Sequence, residues 1–317
     1  MPDTLAFVPT GLQLFFEQAQ AEGGQLINGQ MRLPPSLGTG FVQHLAPEPG
    51  LGLNIFRCHL TRELTLPRPA DATQPETLLF GFNSFANQGS GTAPPQLSSV
   101  QITSSDIGFT SVLPANMDIF LLGIAVQKEL LLSWLNPADG PPPAILTTRQ
   151  PVVLDTLLTP EIEWVLAQLA ELRTTHYLDA FFYKIKMQEL LYFLFQELAR
   201  REATPARHLH TADVQQLYQV RAALLASLGT PPSVPALAQA AGLSETKLKQ
   251  LFRQIFGTSP YDYYQRARLE EAKRLLRSQT VSEVGYQLGF TNLSHFARLF
   301  EKHHGLTPKK YQATHLR

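Results

Sequence analysis

The sequence predicts an α+β protein of two domains, a β-rich N-terminal part followed by helices and an all-α C-terminal part. Three observations predict it. Short apolar runs separated by Pro, Gly, Asn and Ser occupy residues 1–155, which hold 17 of the 24 prolines. Two long amphipathic segments follow Pro160. The last hundred or so residues contain one small helical module twice. Runs of strands followed by runs of helices are the pattern of an α+β chain or of separate domains, and 317 residues leave room for two cores.

In the first part, GLNIFRCHLTRELTL (52–66), TLLFGFNSFANQ (77–88), VQITSSDIGFTSV (100–112) and MDIFLLGIAVQ (117–127) read as strands of a sandwich or barrel. Phe80, Phe82, Phe85 and Phe109 lie on these strands and are the candidates to line an apolar ligand pocket, although aromatics at alternate strand positions also serve as plain core. His44 and His59 stand alone, without a second ligand at metal spacing, so neither metal nor cofactor is assigned. GSGT (89–92) lacks the third Gly and the helix of a nucleotide fingerprint and reads as a loop. No Gly-x-Ser-x-Gly elbow occurs, and no catalytic residue is assigned.

PEIEWVLAQLAELR (160–173) and LDAFFYKIKMQELLYFLFQELARRE (178–202) follow helical periodicity. The second is apolar on more than one face, through Phe181, Phe182, Ile185, Met187, Leu190, Leu191, Phe193, Leu194 and Leu198. One face can cover the β-rich part and the other can pair with a second copy of the chain, so residues 160–202 are the expected homodimerisation element of a 1–202 domain. ATPARHLHTAD (203–213) reads as the linker to a domain over 214–317.

The net charge is zero, yet it is divided. Residues 208–317 carry 14 Lys and Arg against 7 Asp and Glu, a net of +7, which leaves 12 against 19, a net of −7, for residues 1–207. The basic tail suits a polyanion. The single Cys58 excludes a disulfide framework within the chain and fits a reducing compartment. No apolar run reaches the ~18 residues of a membrane span and no secretion leader is present, so a cytoplasmic protein without a membrane partner is expected.

The repeat sets VPALAQAAGLSETKLKQLF (234–252) over VSEVGYQLGFTNLSHFARLF (281–300), and LFRQIFGTSPYDYY (251–264) over LFEKHHGLTPKKY (299–311). The offset is 47 between Gly242 and Gly289 and 48 between the Leu-Phe pairs, so one extra residue follows the second glycine. In the first copy Val234, Leu237, Ala238 and Ala241 recur at helical spacing, Gly242 supplies a left-handed stop, and Ser244 caps a second helix that buries Leu248, Leu251, Phe252 and Ile255. In the second, Val281, Val284 and Leu288 precede Gly289, Thr291 or Asn292 caps, and Phe296, Leu299 and Phe300 are buried. Two short helices across a Gly-containing turn form the helix-turn-helix pattern used on DNA, here over 234–256 and 281–304. Between them, residues 260–277 lack internal Gly and Pro and predict one helix that holds the modules apart.

RLEEAKRLL (268–276) followed by VSEVGYQLGFTNLSHFARLFEKHHGLTPKKYQ (281–312) resembles the AraC/XylS family of transcriptional regulators, with Gly289-Phe290, His295-Phe296, Phe300, Gly305, Pro308 and Tyr311 placed as the family has them. The resemblance covers about residues 210–315, with Gly285 in place of the usual Ala and His304 in place of the usual Phe, so the second module is expected to be the looser one. It implies a cupin-like β-barrel or jelly roll at the N-terminus, a small-molecule effector bound there, and partnership with double-stranded promoter DNA and RNA polymerase.

The outward positions of the first recognition helix are Glu245, Thr246, Lys247, Lys249, Gln250 and Arg253. The resemblance implies that Thr246, Lys249 and Gln250 face bases, and that Leu293, Ser294, Ala297 and Arg298 do so in the second module. Gln suits adenine, Lys and Arg suit guanine, and Leu293 can touch only a thymine methyl. Arg266, Lys273, Lys309 and Lys310 are the candidate phosphate ligands. The alternative is a DNA-repair or DNA-modifying enzyme fused to a DNA-binding domain, for which Cys58 is the only nucleophile to consider.

Overall fold

In the computed structural model, which describes residues 10–27, 29–71, 76–86, 98–136, 138, 140–171, 178–200, 209–231 and 233–315, the chain divides into a unit ending at Thr211 and one beginning at Ala212.

The first unit is built on an antiparallel sheet. Its strands are β1 (Gln25–Ile27), β2 (Gln30–Arg32), β3 (Gly38–Glu48), β4 (Leu51–Leu60), β5 (Leu64–Arg68), β6 (Thr77–Ala86), β7 (Ser99–Ser104), β8 (Phe109–Leu113), β9 (Asp118–Gln127) and β10 (Val153–Leu157). Eight of them form one sheet in the order β1-β2-β3-β4-β9-β6-β7-β10, and β5 pairs with β8 in a second. The larger sheet keeps β1 and β10 at its two edges, so its pairing does not close into a ring among the described residues.

The central strands read as nearly continuous apolar runs because both of their faces are buried. Leu53 and Ile55 of β4, Leu122 and Ile124 of β9, and Phe80 and Phe82 of β6 point to one side. That side is covered by α4 (Pro160–Glu171) and α5 (Asp179–Arg200), through Ile162, Val165, Leu169, Met187, Leu190 and Leu194. Phe56 and Cys58 of β4 and Ile119 of β9 point to the other side, where α1 (Thr10–Ala21) and β5 and β8 contribute Leu12, Phe15, Leu64 and Leu113. The unit is completed by α2 (Lys128–Ser133) and α3 (Ala144–Thr147). No described helix is long and apolar enough to cross a membrane.

Among the described residues the only regular elements of the C-terminal region are helices: α6 (Thr211–Leu225), α7 (Val234–Ala240), α8 (Glu245–Phe256), α9 (Pro260–Leu275), α10 (Val281–Gln287), α11 (Leu293–His304) and α12 (Pro308–His315). The stretch read as linker therefore ends earlier than expected: residues 211–213 open α6, where Asp213 in the first turn accepts from Lys247 Nζ at 2.8 Å, and residues 203–208 lie outside the described residues.

Candidate nucleic-acid interface

The two modules are capped in the same way. Ser244 opens α8 by accepting from the Lys247 N–H, and Asn292 opens α11 by accepting from the His295 N–H. Each recognition helix ends on a left-handed glycine, Gly257 at φ 72° and Gly305 at φ 74°. The turns differ by the extra residue: the cap stands two positions after Gly242 but three after Gly289, and the insertion follows Phe290, which answers Leu243, since each donates its N–H to the carbonyl five residues back at 2.9 Å.

Each module builds its own aromatic core. Phe252 packs on Phe256 with ring centroids 4.4 Å apart, and both meet Tyr263 of α9. Phe296 lies between Phe290 at 4.9 Å and Phe300 at 5.9 Å, and Phe300 meets Tyr311 of α12 at 5.7 Å. Tyr263 and Tyr311 are the closing tyrosines of the two Pro-x-x-Tyr repeats, and both are buried. Leu299, expected in the core, is only half-buried, because Phe296 and Phe300 already fill the inward face of α11.

With the apolar face of α8 turned inward, Thr246, Lys249, Gln250 and Arg253 are exposed together, and Lys249 meets Glu245 at 3.5 Å on the same face. Lys247 is exposed as well but is tied to Asp213. On α11, Ser294 and Arg298 are exposed while Leu293 and Ala297 are half-buried. Leu293 is partly withdrawn because its Cδ2 occupies the space where Gly285 lacks a side chain, 2.5 Å from the position a Cβ would take. This corrects the expectation that Gly285 loosens the second module. Arg266, Lys309 and Lys310 are exposed, whereas Lys273 is half-buried and lies 4.0 Å from Glu270.

Sequence reasoning passed over Arg268, which helical periodicity alone places on α9 without a role. It is buried, it donates through Nε to the Leu288 carbonyl at 3.0 Å, and its guanidinium lies 3.8 Å from the Phe290 ring centroid. Burial pulls its pKa below the ordinary arginine value, while Tyr264 and Tyr261 act in the opposite direction. Leu288 closes α10 and Phe290 begins the following turn, so one side chain fastens the second module to α9.

His304, which stands where the resemblance has Phe, is half-buried. Its ring packs on Phe300 at 4.4 Å, and its Nε2 donates to the Leu269 carbonyl at 3.2 Å. His303 Nε2 meets Glu270 Oε1 at 3.3 Å, so Glu270, His303 and His304 form the one cluster of metal-ligating side chains found among the described residues. Burial lowers the His304 pKa despite the attraction of Glu270. Burial raises that of Glu270, but the His303 hydrogen bond and the His304 and Lys273 charges outweigh it, and the net shift is downward.

In the first unit, Cys58 is buried in β4, and desolvation raises its thiol pKa to about 12, which leaves essentially no thiolate to act as a nucleophile at neutral pH. Of the aromatics expected to line a pocket, Phe109 does so. Phe82 is on the opposite face of the sheet, in the core beneath the helices, because β6 alternates its side chains between two buried faces. Phe80 touches the cavity wall but points to that same helix-side core, where its ring meets Phe195 edge-on at 6.3 Å. The side chain of Phe85 lies outside the described residues.

A helix-turn-helix domain family matches residues 237–314. The transcriptional activator RhaR of Yersinia pseudotuberculosis is 32% identical over 138 residues, covering 43% of this chain and 48% of that protein. The transcriptional regulator GbdR of Pseudomonas aeruginosa is 26% identical over 122 residues, covering 37% of this chain and 33% of that protein. The chain thus spans about half or less of the length of these curated relatives. Among solved structures, a transcriptional regulator from Chromobacterium violaceum with an AraC-type DNA-binding domain is 28% identical, covering 34% of this chain and 98% of that one at a TM-score of 0.32. Over its C-terminal unit, with its paired modules and the helix between them, the chain is thus similar to these transcriptional regulators.

Proposed function

We propose that the protein is a sequence-specific DNA-binding transcription regulator in which one chain reads two successive major grooves, under the control of a small-molecule effector held in the first unit. The observation that carries this reading is the pair of recognition helices, each presenting a polar, uncovered face from a module whose apolar side is fully packed, within a region of net charge +7. Helix α9 has 16 residues, so it spans about 24 Å, and the modules pack on it rather than on a flexible loop. Thr246, Lys249, Gln250 and Arg253 take the first groove, and Leu293, Ser294, Ala297 and Arg298 the second. Arg266, Lys273, Lys309 and Lys310 serve the phosphates.

Regulation passes to RNA polymerase in the cytoplasm, where promoter DNA lies. Two features support an effector-binding first unit of cupin-like barrel character: the second, two-stranded sheet facing the larger one, and the cavity between them. A homodimer is supported by the outer face of the helical layer, where Trp164 and Phe181 are each 63% exposed, Tyr192 is 58% exposed, and Ile185 stands one turn from Phe181.

The experiment is footprinting of the full chain on DNA selected from a random pool. Protection of two half-sites about 10 base pairs apart on one face of the duplex is the expected outcome. Protection of a single half-site with no periodic partner would sink the two-groove reading.

A further inference from the structure

The first unit has a partly open cavity of about 150 Å³ between α1, the larger sheet and the β5–β8 pair. Its floor is Gly81 of β6 beside its register partner Gly123 of β9. Neither is glycine for lack of room: beyond the chain neighbours, a Cβ would come no nearer than 3.9 Å to any atom at Gly81 and 3.6 Å at Gly123. A glycine inside a strand sacrifices packing and backbone entropy. Two side by side at the middle of a buried sheet produce one thing, open space above it. The walls over that space are mainly apolar, with Phe15, Phe56, Leu66, Leu121 and Phe109 among them.

One cation enters this apolar chamber. Arg68 ends β5, and its Nη2 donates to Thr103 Oγ1 at 3.0 Å while Nη1 donates to the Ser105 carbonyl at 3.4 Å. These acceptors are neutral, and no carboxylate among the described residues lies within ion-pair distance of it. Asp106 attracts it without pairing with it and instead accepts a hydrogen bond from Ser104 Oγ. Desolvation brings the Arg68 pKa down to about 10, which still leaves it charged at neutral pH. A largely desolvated guanidinium without a counter-ion, on the wall of an apolar cavity, is a binding site for an anion.

We propose that this cavity holds a small carboxylate with an apolar body of roughly six to eight carbons, its carboxylate on Arg68 and its body over the Gly81–Gly123 floor, since a mainly apolar cavity of ~150 Å³ takes up a benzene-sized group. This rests on the reading of the first unit as effector-binding and names the chemistry of the effector. A single guanidinium among neutral acceptors suits one negative charge, whereas a phosphate dianion calls for more donors and more charge.

The test uses the full-length protein with hexanoate, octanoate and benzoate as probes, hexanol and benzamide as their uncharged counterparts, and melting shifts and calorimetric Kd as readouts. The carboxylates are expected to bind at least about tenfold more tightly than the uncharged forms. Arg68→Gln should erase that difference. Because Arg68 also bridges the two sheets, Gly81→Val is the second variant: its methyl groups enter the cavity, its Cβ is accommodated, and β-branching suits a strand. It should fold as the parent does and bind none of the probes. Equal affinity for charged and uncharged probes, or carboxylate binding that survives Gly81→Val, would overturn the proposal, as would no binding of any probe. The effector reading is judged separately: it stands if a metabolite extract raises the melting temperature of the parent and not of Gly81→Val, and it falls if neither responds.

Discussion

Arg268 and Phe290 join the long helix to the second module, with the guanidinium 3.8 Å from the ring centroid and the Leu288 carbonyl accepting from Nε at 3.0 Å. Arg268→Met removes the donor and leaves that carbonyl unsatisfied in a buried place, at a cost of about 2–4 kcal/mol. Arg268→Lys cannot supply the planar fork and should recover little. Amide exchange on the full chain is expected to quicken across 281–304 and stay unchanged across 245–256. Equal quickening in both modules would argue that Arg268 supports the whole unit rather than one joint.

The two turn glycines occupy equivalent places in the repeat and different surroundings. A Cβ on Gly242 meets nothing within 4 Å, so Gly242→Ala incurs only the left-handed backbone penalty of about 1–2 kcal/mol. A Cβ on Gly289 would sit 1.9 Å from the Gly229 carbonyl oxygen, so Gly289→Ala adds a backbone clash and should destabilise by about 3 kcal/mol or more. Denaturant midpoints of the two variants decide this: equal losses would mean that the Gly229 contact is readily relieved.

On DNA, Arg298→Ala should cost ~1–3 kcal/mol on the selected site and relax preference at one base pair. Lys310→Ala should weaken all sequences alike and reduce the salt slope by about 1. Competition assays against mutated sites, repeated at several salt concentrations, separate the two. Identical behaviour of the two variants would remove the assigned division between base and phosphate contacts.

Acid should act on the second unit through His304. Its folded pKa lies below the ordinary 6.5, so the unfolded chain binds the proton first and stability falls as pH drops below about 6.5, by at most ~1.4 kcal/mol per pH unit. Glu270, His303 and Lys273 are the charged or titratable groups acting on it, and the Glu270 contribution, with its pKa below 4.5, is lost only at lower pH. His304→Phe should flatten the profile between pH 6.5 and 4.5. An unchanged slope in this variant would assign the acid sensitivity elsewhere.

The outer face of α5 offers a test of assembly. Phe181→Glu with Tyr192→Glu alters exposed positions, so folding should be unaffected while a dimer, if built on this face, becomes a monomer in sedimentation. A dimer that persists unchanged would place the interface on another surface.

The recognition helices were legible because their signals are local. Ser244 and Asn292 as caps, Gly242 and Gly289 at positive φ, and Leu248, Phe252, Phe296 and Phe300 at helical spacing each act within a turn or two of the chain, where residue type and interval settle the conformation. The same locality made the outward positions of α8 readable once its buried face was known. The β-rich unit was less transparent: β4, β6 and β9 are apolar on both sides, so a period of two cannot tell which face a residue takes. Phe82 went to the helix-side core while Gly81, its neighbour, opened the cavity floor.

By itself, then, the sequence determined the helical modules, their caps and stops, the rod between them and the segregation of positive charge into the last third, all of which follow from near-neighbour sterics, hydrogen bonding and composition. Only tertiary structure decided that Gly289 is pressed against Gly229, that Arg268 is a buried clasp, that Leu293 fills the gap left by Gly285, and that Arg68 lines the same cavity as the paired Gly81 and Gly123. Each of these depends on which distant residues meet. That is set by strand register and helix packing across the whole unit, and a local pattern carries no record of it.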